Sequence, residues 1–126
     1  MIKDTRPECP FCTQENAILR NELAHVRHDK HPVNPGHLLV IPHRHVADFF
    51  DTTREEKFAV IALLDEAKQY LAKKYSPDGY NVGINVGEAA GQTVMHVHLH
   101  LIPRFKGDAP NPRGGVRGVI PAKQSY

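Results

Sequence analysis

No apolar run in this 126-residue chain approaches the ~20 residues that a membrane-spanning helix needs. Cysteine is scarce: Cys9 and Cys12 are the only two, too few for a disulfide-stapled scaffold. In a reducing compartment such a pair is expected as thiols or metal ligands. The formal net charge is only +2, which gives no basis for binding nucleic acid. The opening stretch MIKDTRPECPFC lacks the apolar segment of a secretory leader, so a cytoplasmic location is expected. There is no internal repeat and no long linker. A single domain over 1–126 is expected, with 106–126, rich in Pro, Gly and Arg, an irregular tail.

What the chain does contain is a series of short strand-like runs around one helix. Apolar alternation around Leu23 to Val26 suggests strands, and PVNPGH forms a turn cluster before the short run HLLVIP. From Thr52 or Thr53 to Lys74 the pattern is helical. Thr52 with Glu55, or Thr53 with Glu56, has capping-box spacing. Phe58, Ile61, Leu64 and Leu71, with Ala67 between, form the apolar stripe, and SPDG ends the helix. YNVGINVG and MHVHLHLIPR are two further strands separated by the glycine-bearing loop GEAAGQT. The class is α+β: a small antiparallel sheet of about five strands, one long helix and a shorter N-terminal element. So few strands for the length make pairing with a second chain an expectation.

Three of the nine histidines lie in HVHLH, at His96, His98 and His100. On a strand they would share one face, about 6.6 Å apart, with Val97, Leu99 and Leu101 on the other. A solvated row of imidazoles is the plainest reading, but strict alternation beside aliphatic residues argues against it. One ion held by all three does not fit a straight strand, because the outer pair would stand about 13 Å apart and zinc–nitrogen bonds are about 2.0–2.1 Å. The remaining reading is nucleophilic catalysis. A neutral imidazole attacks phosphorus near pH 7, and flanking histidines with backbone N–H groups stabilise the phosphoryl oxygens. GEAAGQT lacks the Gly-Lys-Ser/Thr ending of a P-loop.

HVHLHLI resembles the His-φ-His-φ-His-φ-φ signature of the histidine-triad nucleotide hydrolases and transferases. GEAAGQTVMHVHLHLIPR, PGHLLVIPHRHV and the N-terminal CPFC resemble segments of that family in the same order, over about residues 7–105. The resemblance implies a histidine-triad fold and homodimers formed through the long helix and a sheet edge. It also implies cleavage at the α-phosphorus of purine nucleoside phosphate derivatives through a nucleotidyl-histidine intermediate. His98 would be the nucleophile, with His100 and His37 lining the phosphate site. Asp29 would contact the ribose hydroxyls, while Asn85, Gly91, Gln92 and Thr93 match positions around the phosphate and leaving group. Val97 and His100 match the hydrolase branch, since the uridylyltransferase-like branch carries Pro and Gln at those places.

Some members complete a Cys₂His₂ zinc site from such a Cys-x-x-Cys. The implied ligands here are Cys9, Cys12, His45 and His96, making zinc structural rather than catalytic, with His43 a competitor for His45. His25, His28 and His31 are expected at the surface or the substrate rim. Arg113 and Arg117 would either hold distal phosphates or belong to a mobile basic tail. A nucleotide is the expected partner, without membrane or nucleic acid. The alternative is a non-catalytic nucleotide- or metal-binding module on the same fold.

Overall fold

A computed structural model describes residues 4–126; the first three residues of the expected domain lie outside the described residues. Five strands form one antiparallel sheet: β1 (Leu19–Arg20), β2 (Ala24–His28), β3 (Leu38–Pro42), β4 (Gly79–Ile84) and β5 (Leu99–Arg104). The spatial order is β1-β2-β3-β5-β4, so β4 is an edge strand. A single α-helix, α1 (Arg54–Tyr75), joins β3 to β4 across one face of the sheet.

Strand alternation divides the sheet into a packing face and a working face. Ala24 and Val26 of β2, Leu38 and Val40 of β3, and Leu99 and Leu101 of β5 pack against Val60, Leu63, Ala67 and Leu71 of α1. His25 and Arg27, Leu39 and Ile41, and His100 alternate with these core positions and so point to the other side. Register sets Arg27 opposite Leu39, Leu39 opposite His100, and His100 opposite Gly83, making one row across four strands.

The helix starts with the Thr53–Glu56 box, not Thr52–Glu55. The Glu56 amide donates to Thr53 Oγ1 at 3.0 Å and the Thr53 amide donates to Glu56 Oε1 at 2.8 Å. Arg44 adds a forked pair of bonds to the Glu56 carboxylate at 2.8 and 3.0 Å. That guanidinium and the cap amides together hold the Glu56 carboxyl below its ordinary value despite burial.

The expected apolar stripe holds at Ala67 and Leu71, with Leu64 packed against the core, but is out of phase in its first half. Phe58 and Ile61 are exposed, and Val60 and Leu63 carry the packing in their place. Apolar residues occupy two adjacent helix faces here, so periodicity alone could not choose between them.

The final expected strand is also shorter than its sequence suggests. Its ladder begins at Leu99, and His96 lies in a bend. The Val97 amide bonds the Val46 carbonyl at 2.8 Å instead of a neighbouring strand. The tail 106–126 contains two 3-10 segments, Gly115–Val119 and Pro121–Lys123, the first packed beside β4.

Candidate active site

At the end of β5, His98 is 8% exposed and its ring lies 5.2 Å from that of His100. His98 Nδ1 donates to the His96 carbonyl at 2.8 Å. In the neutral ring this fixes the proton on Nδ1 and leaves the lone pair on Nε2. No protein group bonds that Nε2 among the described residues. A buried imidazole with an oriented, available lone pair is what attack on phosphorus requires.

His37 reaches the same place from β3's entrance. Gly36 precedes it at φ 89°, and the Tyr75 ring lies 2.9 Å from where a Cβ at Gly36 would stand, so the turn admits only glycine. The Val33 amide donates to His37 Nδ1 at 3.0 Å, so the neutral ring carries its proton on Nε2. That Nε2–H points at His100 Nδ1, 2.9 Å away, with Asp29 Oδ2 at 3.3 Å. His100 therefore accepts at Nδ1 and keeps its own N–H on Nε2. The chain of bonds converts three neutral groups into one donor for an oxyanion. Burial pushes His100 down to about 4, helped by repulsion from His98 and His37. Burial lowers His37 too, against the opposing pull of Asp29. Both rings are neutral at pH 7.

These groups open on a cavity of about 410 Å³. His98, His100, Asp29, Asn85, Gly91 and Thr93 line it, and His28 and His31 stand at its rim. Gln92 is not brought to this wall. It is 5% exposed, and its amide accepts from the Gly87 N–H at 2.8 Å and donates to the carbonyls of Ala47 and Val94 at 2.7 and 3.1 Å. With all these bonds turned inward, its side chain braces the loop and leaves Gly91 and Thr93 to face the cavity.

Two residues of the cavity were not anticipated. Phe11, inside the Cys-x-x-Cys, packs edge-on to His98 with centroids 4.9 Å apart. Arg27, buried on β2, lies with its guanidinium 5.2 Å from the Phe11 ring centre. The alternation of β2 carried a signal for Arg27, since it alternates with the core positions Ala24 and Val26 and so falls off the packing face. Nothing in the order of residues pointed to Phe11.

The first triad histidine faces away from the cavity. His96 Nε2 donates to the Pro42 carbonyl at 2.7 Å, leaving Nδ1 as the bare nitrogen. That Nδ1 lies 3.4 Å from Cys9 Sγ and 3.5 Å from Cys12 Sγ, while His45 Nδ1 is 3.3 Å from Cys12 Sγ. All four donor atoms fall within 4.8 Å of one another. A tetrahedral zinc with bonds of about 2.0–2.3 Å has ligand–ligand edges of roughly 3.3–3.8 Å, so the set fits the ion. The Pro42 carbonyl supplies the bond that orients a metal-binding imidazole.

His43 does not compete for the ion. It donates from Nε2 to the Asn21 carbonyl and accepts at Nδ1 from His25, 3.0 Å away. His25 is fully buried rather than superficial, stacked on His43 at 5.2 Å. Arg113 and Arg117 turn onto Tyr126 of the tail and lie outside the catalytic cavity.

A family model described as "HIT domain" matches residues 12–107. An AP-4-A phosphorylase of Mycobacterium tuberculosis is 35% identical over 105 residues, covering 81% of this chain and 54% of the relative. An asymmetrical bis(5'-nucleosyl)-tetraphosphatase of Schizosaccharomyces pombe is 40% identical over 98 residues, covering 78% and 54%. The chain thus spans about half the length of these two relatives. Among solved structures, a Zn-bound histidine triad family protein from Mycobacterium smegmatis superposes with a TM-score of 0.74 at 34% identity, covering 82% of this chain and 80% of that one.

Proposed function

The chain belongs to the HIT family, and on that premise we propose that it hydrolyses purine nucleoside phosphate derivatives at the α-phosphorus. The observation that carries this reading is His98, protonated at Nδ1 by its bond to the His96 carbonyl and free at Nε2. Nε2 attacks in line, a P–N bond forms, and the bond to the leaving group breaks with its electron pair. The leaving group takes a proton from solvent. The N–H of His100, aligned through His37, stabilises the charge on a non-bridging oxygen. Asp29 and Asn85 orient the nucleoside, while Gly91 and Thr93 contact the phosphate. Water then cleaves the nucleotidyl-histidine and regenerates the imidazole. Relatives named for dinucleoside tetraphosphates support an anhydride substrate.

Cys9, Cys12, His45 and His96 hold a structural zinc ion in this reading, and its bound state neutralises the thiolates and ties the N-terminal segment to the sheet. A cytoplasmic location, where such a pair of cysteines stays reduced, completes this reading. No helix of the described residues is long and apolar enough to cross a membrane. The protein pairs as a homodimer through the exposed face of α1 that carries Phe58 and Ile61, continued by the edge strand β4.

Rapid-quench mass spectrometry with adenosine phosphoramidate and diadenosine tetraphosphate tests the chemistry. An acid-labile AMP adduct is expected on the wild type and none on His98→Ala, with turnover lost and AMP binding retained. Undiminished turnover by His98→Ala would sink the covalent route.

A further inference from the structure

Arg27 is a buried cation with no carboxylate partner among the described residues, and only the Cys9 thiol opposes the effect of its burial. It is 7% exposed, and the only side-chain hydrogen bond it makes among the described residues runs from Nη2 to the Thr13 carbonyl at 2.7 Å. Nε has no partner, and no carboxylate lies within ion-pair reach among the described residues. The nearest candidate, Asp29, is committed elsewhere: Oδ2 sits against His37 and His100, and Oδ1 accepts from the His31 amide at 2.8 Å. A guanidinium does not deprotonate to relieve such burial, and an uncompensated buried charge is strongly destabilising. A fully burying apolar side chain would serve the core better at this position. Nε is sealed off, but Nη1 makes no hydrogen bond and Nη2 has one hydrogen left over, so these two present a fork for which a ligand can supply acceptors, and Arg27 does line the catalytic cavity.

Position identifies which part of a ligand arrives there. Arg27 is two strands from His100 in the same cross-sheet row, with Leu39 between as the floor. Two strand spacings are about 9–10 Å, a gap that a nucleoside 5'-phosphate bridges from phosphorus to base. Phe11 walls this interval, touching His98 at one end and Arg27 at the other. In-line displacement sends the leaving group to the side of phosphorus opposite His98, whereas Arg27 stands on the Phe11 side with the nucleophile. Distal phosphates are therefore directed away from it.

We propose that Arg27 reads the nucleobase and makes the site selective for 6-oxopurines, guanine or hypoxanthine, over adenine. The inference rests on the nucleotide reading above and names its substrate more narrowly. Guanine and hypoxanthine present two acceptors, O6 and N7, to a guanidinium fork. Adenine places the N6 amino donor where O6 would be, setting an N–H group against a cation. The Phe11 ring holds the guanidinium by cation–π contact and offers the base an aromatic wall.

Calorimetric titration of GMP, IMP and AMP into the full chain tests the proposal, with turnover of guanosine and adenosine phosphoramidates measured in parallel. Wild type is expected to bind GMP and IMP about tenfold or more tightly than AMP. In Arg27→Leu the ratio falls towards one, and in Arg27→Lys, which keeps the charge but not the fork, it falls partway. Equal or tighter AMP binding by wild type overturns the proposal. So does an equal weakening of all three nucleotides in both variants, the signature of a merely structural arginine. If Arg27→Leu does not fold, the ratio in Arg27→Lys decides. A clear GMP preference without turnover of either phosphoramidate, or of diguanosine and diadenosine tetraphosphate, would overturn the hydrolase reading and leave base recognition standing.

Discussion

Single imidazoles in this protein are assigned their roles by the backbone carbonyl or amide each one meets. His96 donates from Nε2 and His98 from Nδ1, so two rings two residues apart expose opposite nitrogens, one to thiols and one to the cavity. Burial has a measurable consequence for pH. His25 is pushed down to about 3 and His100 to about 4, both by burial first. An unfolded imidazole titrates near 6.5, so the unfolded chain takes up protons between those values that the folded chain refuses. Stability is therefore complete above about pH 6.5 and falls as the pH drops through that window. The urea midpoint is expected to be lower at pH 5 than at pH 7.5, a range in which few carboxylates titrate. A midpoint that stays constant across it would contradict neutral burial. Roles at this scale were partly legible from the sequence. The triad named the reactive types, but the protonated nitrogen of each ring depends on carbonyls such as Pro42, 54 residues distant from its partner.

The elements themselves were legible where local chemistry is decisive. Thr53 and Glu56 close the capping box from three residues apart, and the turn before β3 is written in Pro35 and Gly36. Two things escaped for the same physical reason, competition between local pattern and tertiary contact. The phase of α1 was ambiguous in its first half because apolar residues occupy two adjacent faces there, and only one of the two is inside the fold. The first triad residues left the β-ladder because Val97 pairs with Val46. The outward face of α1 carries Phe58, 62% exposed, and Ile61, 51% exposed. If this is the seam between two copies, Phe58→Glu with Ile61→Glu is expected to halve the mass seen by light scattering while far-ultraviolet circular dichroism stays unchanged. A wild type already monomeric at micromolar concentration would refute the seam.

At the scale of the molecule, the metal cluster and the catalytic cavity are two sides of one wall. Cys9 and Cys12 bracket Pro10 and Phe11, which line the cavity, and the His96 peptide links the cluster to the tautomer of His98. If the cluster holds zinc as proposed, removing the ion with a chelator is expected to lower the melting temperature and to slow turnover together. Cys12→Ser should do the same, with zinc content by mass spectrometry falling from one per chain towards zero. Turnover that survives complete metal loss would show that the wall stands unaided. The meeting of Cys9, Cys12, His45 and His96 was legible by resemblance, starting from the local spacing of the two cysteines. The joint use of the wall was not, since it depends on which way Phe11 and His96 turn in the folded chain. This shared peptide also bears on descent. Losing Cys9 or Cys12 alone is expected to disturb the peptide whose carbonyl sets the His98 tautomer. A relative without the pair is expected to fill its place with other packing behind Phe11 and His96.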